Sequence, residues 1–277
     1  MKQREETHML SILKTKRRVV VCFVTLLFLV LVTFAVEKRL NQSENVLSAG
    51  SLTIDISHAN DGYIVTKAEI IDSKLKIRVT KDNVTYTYDH NITGDTEVLP
   101  LQMGSGEYVV TLYKNVVGNR YTKLSEIRVN AEMADANSAF LCPSQYVNYT
   151  EDSEAVKKSM ELCQGLTTDM EKVEAIRKYL KKSLVYDYVR AITISKSYLG
   201  DIDGCFETRM GLCLDIAALT ACMLRVQGIP TQLVIGYVGD KYHAWNQALV
   251  DGEYILIDVT AEMSVVTGSE YITERVY

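Results

Sequence analysis

Apolar and polar residues alternate with a period of two through much of residues 51–131, which is the pattern of half-buried β-strands. Turn-forming sequences rich in Asn, Asp and Gly separate these runs. Short strands at this spacing predict a small all-β sandwich over residues 51–131. The predicted strands are Ser51–Ser57, Lys74–Thr80, Val84–Tyr88, Gly106–Tyr113 and Leu124–Val129.

From about residue 132 the apolar positions recur at spacings of three and four, which predicts helices. Two helices are predicted over Asp152–Cys163 and Asp169–Leu184, with Thr167 as the N-cap of the second. A third is predicted to begin near Gly211-Leu212-Cys213 and to end at about Val226, because a glycine and a proline follow it. Three strands are predicted after this helix: Gln232–Val238, His243–Val250 and Glu253–Val259.

The turn Asp251-Gly252 is the strongest short hairpin signal in the chain. Counting back from a two-residue turn at this position sets Trp245 opposite Asp258. His243 lies on the same face as Trp245, because side chains alternate along a strand. Asp258 is then diagonal to His243, at roughly 7–8 Å between the backbones. The sequence therefore predicts a hydrogen-bonded His243–Asp258 pair, which a register slip of one residue would separate.

Cys213 falls in the first turn of the third predicted helix, where unpaired N–H groups and the helix dipole favour a thiolate. The thiolate is the reactive form of cysteine, and a histidine oriented by an acid completes a nucleophilic triad. Gly211 is predicted to leave room beside the backbone N–H of Cys213, a candidate oxyanion donor. Cys222 points to the opposite side of the helix and is predicted to pack in the core.

Five short motifs, in this order, resemble the core of the transglutaminase-like superfamily. They are Gly211-Leu212-Cys213-Leu214-Asp215, Gln227-Gly228-Ile229-Pro230, Gly236-Tyr237, His243-Ala244-Trp245-Asn246 and Asp258-Val259-Thr260. The resemblance covers roughly residues 138–262 and is nearest to the exported bacterial branch. It implies a papain-like α+β fold for a transglutaminase-like domain over residues 132–277.

The resemblance also implies roles for individual residues, with Cys213 as nucleophile, His243 as general base and acid, and Asp258 as the group that orients the histidine. Tyr198 and Trp245 are further candidates for substrate binding or oxyanion stabilisation. Val259 departs from the family pattern, since a proline often follows the aspartate there.

Three functions remain open at this point. The first is acyl transfer on a carboxamide, such as a glutamine side chain in a protein or wall peptide, through a thioacyl intermediate without cofactor or metal. The second is a cysteine peptidase or amidase that acts on cell-wall peptides with water as acceptor. The third is a catalytically idle envelope binding module, against which an intact triad counts. A protein or peptide substrate is the expected partner.

The apolar run Val19–Val36 carries no charge and, at about 1.5 Å per residue, spans most of a bilayer core. Basic residues crowd its N-terminal edge, so the positive-inside rule places residues 1–18 in the cytoplasm and the rest outside. Thr33-Phe34-Ala35 would allow signal cleavage, but the run exceeds the roughly 7–15 apolar residues of a signal peptide. We expect a single-pass anchor followed by a linker over residues 37–50, or a secreted protein if the segment is cleaved.

The net charge and the cysteine spacing argue against two classes of protein, nucleic-acid-binding proteins and zinc fingers. The net charge of -5 and the lack of a basic stripe in the soluble part argue against nucleic-acid binding. The six cysteines show no CxxC spacing, which argues against a zinc finger. Cys142 and Cys163 could form a disulfide outside the cell or remain two buried thiols. Asp187, Asp201 and Asp203 are too few to predict a metal site with an oxygen cage.

Overall fold

The computed structural model describes residues 45–195, 198–263 and 270–277 of the chain. The predicted cytoplasmic segment 1–18, the apolar segment 19–36 and most of the predicted linker lie outside these residues. Within the described ranges, the helices are all too short or too polar to cross a membrane.

Residues 46–131 form two four-stranded sheets. The first has the order β1 (Val46–Ala49), β2 (Leu52–Asp55), β3 (Tyr63–Ala68) and β6 (Thr96–Pro100). The second has the order β5 (Val84–His90), β4 (Leu75–Lys81), β7 (Gly106–Val117) and β8 (Arg120–Ala131). Buried side chains of both sheets, such as Ile54 and Val110, belong to one hydrophobic cluster. This arrangement confirms the predicted sandwich.

Strands β1, β3 and β6 were not predicted. Residues 46–49 had been assigned to the linker, which therefore ends earlier than expected. In β3 the polar Thr66 occupies a buried position, so the sequence lacks a clean alternation. Its hydroxyl lies 3.1 Å from Nε2 of His90 and donates to the carbonyl of Glu97 at 3.3 Å. These hydrogen bonds offset the cost of burying a polar side chain.

Residues 132–277 combine helices with a four-stranded antiparallel sheet. The helices are α1 (Glu154–Leu162), α2 (Asp169–Ser183), α3 (Tyr188–Thr193), α4 (Ile202–Thr208), α5 (Cys213–Arg225) and α6 (Val259–Glu262). The sheet has the order β13 (Glu253–Ile257), β12 (Lys241–Val250), β11 (Thr231–Val238) and β14 (Tyr271–Val276). A short parallel pair joins β9 (Val185–Tyr186) to β10 (Met210–Gly211). Helix α5 packs on β11 and β12, and its residues from 215 to 225 are all buried.

The N-cap of α2 is Thr168, which corrects the prediction of Thr167. The Thr168 hydroxyl accepts the backbone N–H of Glu171 at 3.3 Å, and the Glu171 carboxylate accepts the backbone N–H of Thr168 at 3.0 Å. With the cap shifted by one residue, an acid occupies the third helical position. The capping box between Thr168 and Glu171 is therefore complete.

The hairpin between β12 and β13 has the predicted register. Val250 pairs with Glu253, and the pairing continues back to Asn246 and Ile257. Both turn residues have positive φ, 52° at Asp251 and 83° at Gly252, as a two-residue hairpin of this kind requires. Strand β13 ends two residues earlier than predicted, because Asp258 leaves the strand to cap α6.

Candidate active site

Cys213 is the first residue of α5 and is partly exposed. The residue before it, Leu212, is extended and offers no side-chain cap. The carboxylate of Asp215 accepts the Leu212 N–H at 2.8 Å and so caps the helix from inside. This hydrogen bond fixes the backbone next to Cys213. The thiol therefore lies at the N-terminus of the helix, where the helix dipole favours a thiolate.

His243 and Asp258 form a buried pair beside this cysteine. Nε2 of His243 lies 2.8 Å from Oδ2 of Asp258, and both side chains are almost fully buried. Oδ2 also accepts the hydroxyl of Tyr271 at 3.0 Å, while Oδ1 accepts the N–H of Ala261 at 2.8 Å. The carboxylate is held by three donors, so it fixes the ring of His243 in one orientation.

The charge state of His243 depends on these neighbours. Burial by itself lowers the pKa of the imidazole, but hydrogen bonds to Asp258 and Cys213, together with their charges, outweigh burial. The net effect raises the pKa of His243 to about 9. The ring is therefore an imidazolium at neutral pH, the form that pairs with a cysteine thiolate.

The predicted His243–Asp258 contact is thus present, and Cys213 lies close enough to the same histidine to raise its pKa. The structure brings together the three side chains that the sequence singled out. Their catalytic roles remain predictions.

A cavity of about 630 Å³ opens onto Cys213 and His243. Its volume lies within the range of small-molecule and peptide-side-chain pockets. Tyrosines dominate the wall, and Arg275 adds a cation. The tyrosines are Tyr146, Tyr198, Tyr237, Tyr242 and Tyr277.

Tyr198 lines the cavity, but its hydroxyl proton is already engaged. The hydroxyl donates to Oδ1 of Asp215 at 2.5 Å and accepts a hydrogen bond from Arg190. Burial, followed by the hydrogen bond to Asp215, raises the pKa of Tyr198. The predicted oxyanion role remains a prediction, which would require the hydroxyl to leave Asp215.

Trp245 lies behind His243 and not in the wall of the cavity. Its side chain is 1% exposed, stacks on His243 with ring centroids 6.3 Å apart and meets the ring of Tyr271 edge-on at 5.1 Å. Its buried Nε1 has no hydrogen-bond partner in the described part of the chain. The substrate role predicted for Trp245 stays a prediction for which the structure offers no exposed surface.

Gly211 has a packing role that the sequence did not predict. A Cβ at this position would lie 2.6 Å from Sγ of Cys205 and 3.0 Å from Cβ of Asp215. The glycine therefore makes room for packing between α4 and the start of α5. The structure gives this reason for the glycine, and access to the N–H of Cys213 stays a prediction.

The role of Asp215 in the site was not predicted from the sequence. It is fully buried and, besides Leu212 and Tyr198, accepts the N–H of Asp201 at 2.9 Å and faces Arg190 at 3.4 Å. Its position three residues after an N-cap without a side-chain acceptor was the available signal. Arg275 was missed for another reason, because β14 was not predicted.

The remaining candidates are accounted for by local structure. Cys142 and Cys163 are free, buried thiols, and so are the cysteines at 205 and 222. Asp187 and Asp201 cap α3 and α4 through N–H groups at 2.9 Å. Across residues 45–195, 198–263 and 270–277, no three His, Cys, Asp or Glu side chains are grouped to hold a metal ion.

The fold and the site together define a class: a helix presents a cysteine to a sheet that carries a histidine, and the next strand leads to an aspartate. Residues 157–259 match the sequence model of the transglutaminase-like superfamily. This part of the chain belongs to that superfamily. The matched range contains Cys213, His243 and Asp258.

Several solved structures are similar to the chain. A candidate protease from Parabacteroides distasonis is 20% identical over 56% of this chain and 37% of its own, with a TM-score of 0.34. A candidate cysteine protease from Cytophaga hutchinsonii is 16% identical over 78% of this chain and 68% of its own, with a TM-score of 0.40. Red sea bream transglutaminase is 12% identical over 73% of this chain and 48% of its own, with a TM-score of 0.28. No curated protein sequence matches the chain.

Proposed function

We propose that this protein is a cysteine-dependent acyltransferase that acts on a carboxamide, such as a glutamine side chain, through a thioacyl intermediate. The observation that carries the proposal is that Cys213 and His243 line one cavity, while His243 is hydrogen-bonded to the buried Asp258. An imidazolium beside a thiolate supplies both the nucleophile and the acid that the first step needs.

In the first step the thiolate of Cys213 attacks the carbonyl carbon of the carboxamide, and a carbon–sulfur bond forms. The imidazolium of His243 gives its proton to the amide nitrogen as the carbon–nitrogen bond breaks. Ammonia leaves, and the acyl group remains on sulfur as a thioester. The hydrogen bond between Nε2 and Asp258 holds the neutral ring in place.

In the second step a primary amine attacks the thioester carbon. The neutral His243 accepts the amine proton, the carbon–sulfur bond breaks and the thiolate returns beside an imidazolium. The product is a substituted amide. With water as acceptor the same steps give a carboxylate, which is the amidase or peptidase reaction.

We also propose that the reaction takes place at the cell envelope, on the extracytoplasmic side. The apolar run Val19–Val36 and the basic residues before it support this orientation. Protease added to intact spheroplasts should then degrade the domain that carries Cys213, whereas a cytoplasmic marker survives. A protected domain would contradict the proposed location.

The test of the reaction uses the full-length chain with a glutamine-containing peptide and a biotinylated primary amine. We expect ammonia release together with an amine-linked or deamidated peptide in mass spectra. Cys213→Ala should reduce both to background, and His243→Ala should reduce kcat/KM by roughly 10³-fold or more. Cys222→Ala, a buried cysteine of the same helix, serves as control and should keep the activity.

The ratio of amine-linked to deamidated product identifies the acceptor. A deamidated product alone would replace the transferase with a hydrolase. Iodoacetamide labelling distinguishes the transferase and the hydrolase, which need a reactive Cys213, from a catalytically idle binding module. Burial raises the pKa of Cys142 to about 11 and that of Cys205 and Cys222 to about 12, so Cys213 should be labelled first at neutral pH. An unreactive Cys213 with no ammonia release would overturn the enzyme proposal.

A further inference from the structure

Three neighbouring strands contribute one row of side chains to the cavity wall. Ile235 of β11 pairs with Ala244 of β12 on one side and with Arg275 of β14 on the other. Cross-strand partners lie on the same face of a sheet. All three residues line the cavity that contains Cys213. Arg275 therefore lines the cavity, and the strand register places it on the same face of the sheet as the other two residues.

Arg275 is a cation without a carboxylate partner in the described part of the chain. Of the residues known to line the cavity, only Arg275 and His243 are basic and none is an aspartate or glutamate. The charge of His243 is already paired with Asp258. The exposed guanidinium of Arg275 donates one hydrogen bond, from Nη1 to the carbonyl of Thr85 at 3.3 Å. A guanidinium has five N–H donors, so most of those of Arg275 have no partner among the described residues and can bind a ligand.

The β-sandwich holds this arginine in place. Strands β5 and β14 are each at the edge of their own sheet. The guanidinium of Arg275 lies over the ring of Tyr86, 5.4 Å from its centroid. Tyr277, another cavity residue, meets Tyr86 edge-on at 5.6 Å and stacks on Tyr146 at 3.8 Å. One wall of the cavity is thus fixed by contacts with β5.

From these contacts we propose that Arg275 binds a carboxylate of the acyl donor and that Tyr86 positions the guanidinium for this contact. The inference rests on the proposed function and names its substrate class: peptides that carry a carboxylate close to the reactive carboxamide. Arginine suits this task because its planar fork can bind a carboxylate through two parallel hydrogen bonds. The β-sandwich then contributes to substrate specificity as well as to the fold.

The test compares two glutamine peptides that differ only by aspartate or asparagine next to the glutamine. In the full-length protein we expect kcat/KM for the aspartate peptide to be about tenfold higher, the effect of one charge-assisted contact. Arg275→Gln should abolish this preference by raising KM for the aspartate peptide, with kcat unchanged. Equal kcat/KM for the two peptides in the wild-type protein would overturn the proposal.

Arg78→Gln is the matched control, because Arg78 also lies over a tyrosine ring, that of Tyr113 at 5.0 Å, but does not line the cavity. It should keep the tenfold preference. Tyr86→Leu retains an apolar side chain and removes the ring face, and it should lower the preference without changing the labelling rate of Cys213. If Tyr86→Leu changes only the melting temperature, the positioning role of the β-sandwich is wrong.

Binding measurements separate this proposal from the proposed function. Calorimetry on Cys213→Ala with the same two peptides reports recognition without turnover. Tighter binding of the aspartate peptide, lost in the double variant with Arg275→Gln, supports the proposal even if the wild-type protein turns over neither peptide. If the wild-type protein turns over both peptides and the two bind with equal affinity, the proposed function stands. In that case Arg275 does not recognise the substrate.

Discussion

His243 lies between a thiol and a carboxylate, and both neighbours favour its charged form. Sequence alone could predict the carboxylate, because the hairpin turn at Asp251-Gly252 fixes the register that brings Asp258 close. It could not predict Tyr271, which reaches Oδ2 of that carboxylate from β14, a strand at the opposite edge of the sheet from β13. Local periodicity determines pairs across a tight turn, whereas contacts from a distant edge strand depend on the whole sheet.

At the scale of single residues, the structure predicts a raised pKa for His243. In the folded protein the imidazole should lose its proton near pH 9, compared with 6.5 for an unperturbed histidine. The folded-state value is raised, so this group contributes its full stabilisation below about pH 6.5 and loses it as the pH rises through about 9. The ¹⁵N shifts of the ring nitrogens across this range measure the transition, and His243→Gln identifies the signal.

Asp258→Asn removes both the charge and the carboxylate acceptor from the same histidine. The pKa of His243 should then fall, because burial continues to disfavour the charged ring. An unchanged titration in Asp258→Asn would show that Cys213 alone sets the charge of the ring.

At the scale of elements, α5 and the strands beside it were predicted within one or two residues, whereas β14 and α3 were not. Helix α5 is apolar at most of its positions, and Gly228 follows its end closely, so its pattern is strong. The middle of β14 is exposed at every position, so the strand has no alternation to detect. Helix α3 is six residues long and has no buried residue. Strand β14 takes its hydrogen bonds from β11, which a local pattern cannot reveal, and α3 begins at the side-chain cap of Asp187.

The buried carboxylate of Asp215 connects α3, the N-cap of α4 and the start of α5. Its substitution tests this structural role. In Asp215→Asn the guanidinium of Arg190 loses its anion and the start of α5 loses an ionised cap. We expect a loss of about 2–4 kcal/mol in the free energy of unfolding, the cost of breaking a buried charged network. Labelling of Cys213 should slow as well. Urea unfolding and iodoacetamide kinetics measure the two effects.

Asp203→Asn is the control for this prediction, because Asp203 is an exposed carboxylate on α4 close in sequence. It should change the free energy of unfolding by no more than about 0.5 kcal/mol. If Asp215→Asn behaves like this control, the carboxylate is not the group that holds the helix start in place.

At the scale of the whole molecule, one buried arginine connects segments that are far apart in sequence. Arg225, at the end of α5, donates to the carbonyls of Cys142 at 2.6 Å, Thr231 at 2.9 Å and Tyr277 at 2.9 Å. Cys142 follows the β-sandwich, and the other two residues belong to the sheet of the C-terminal domain. Burial lowers the pKa of Arg225, and the three carbonyl oxygens are the acceptors that satisfy its buried N–H groups.

Arg225→Met keeps the length of the side chain but removes its donors. Three buried carbonyls would then lose their partner, at a cost of roughly 1–3 kcal/mol for each unsatisfied group. We expect the full-length variant to unfold at a markedly lower urea concentration. Arg78→Met, at an exposed position, is the control and should unfold with the wild-type protein.

The position of β14 in the sheet has a consequence for biosynthesis. This strand lies beside β11, although more than 30 residues of chain separate the two. Until residues 271–277 have left the ribosome, Asp258 lacks the hydroxyl of Tyr271, Arg225 lacks one carbonyl, and the cavity lacks the wall that carries Arg275. A nascent chain that already contains Cys213, His243 and Asp258 therefore has the reactive groups without the completed site, which is assembled only after residues 271–277 have emerged.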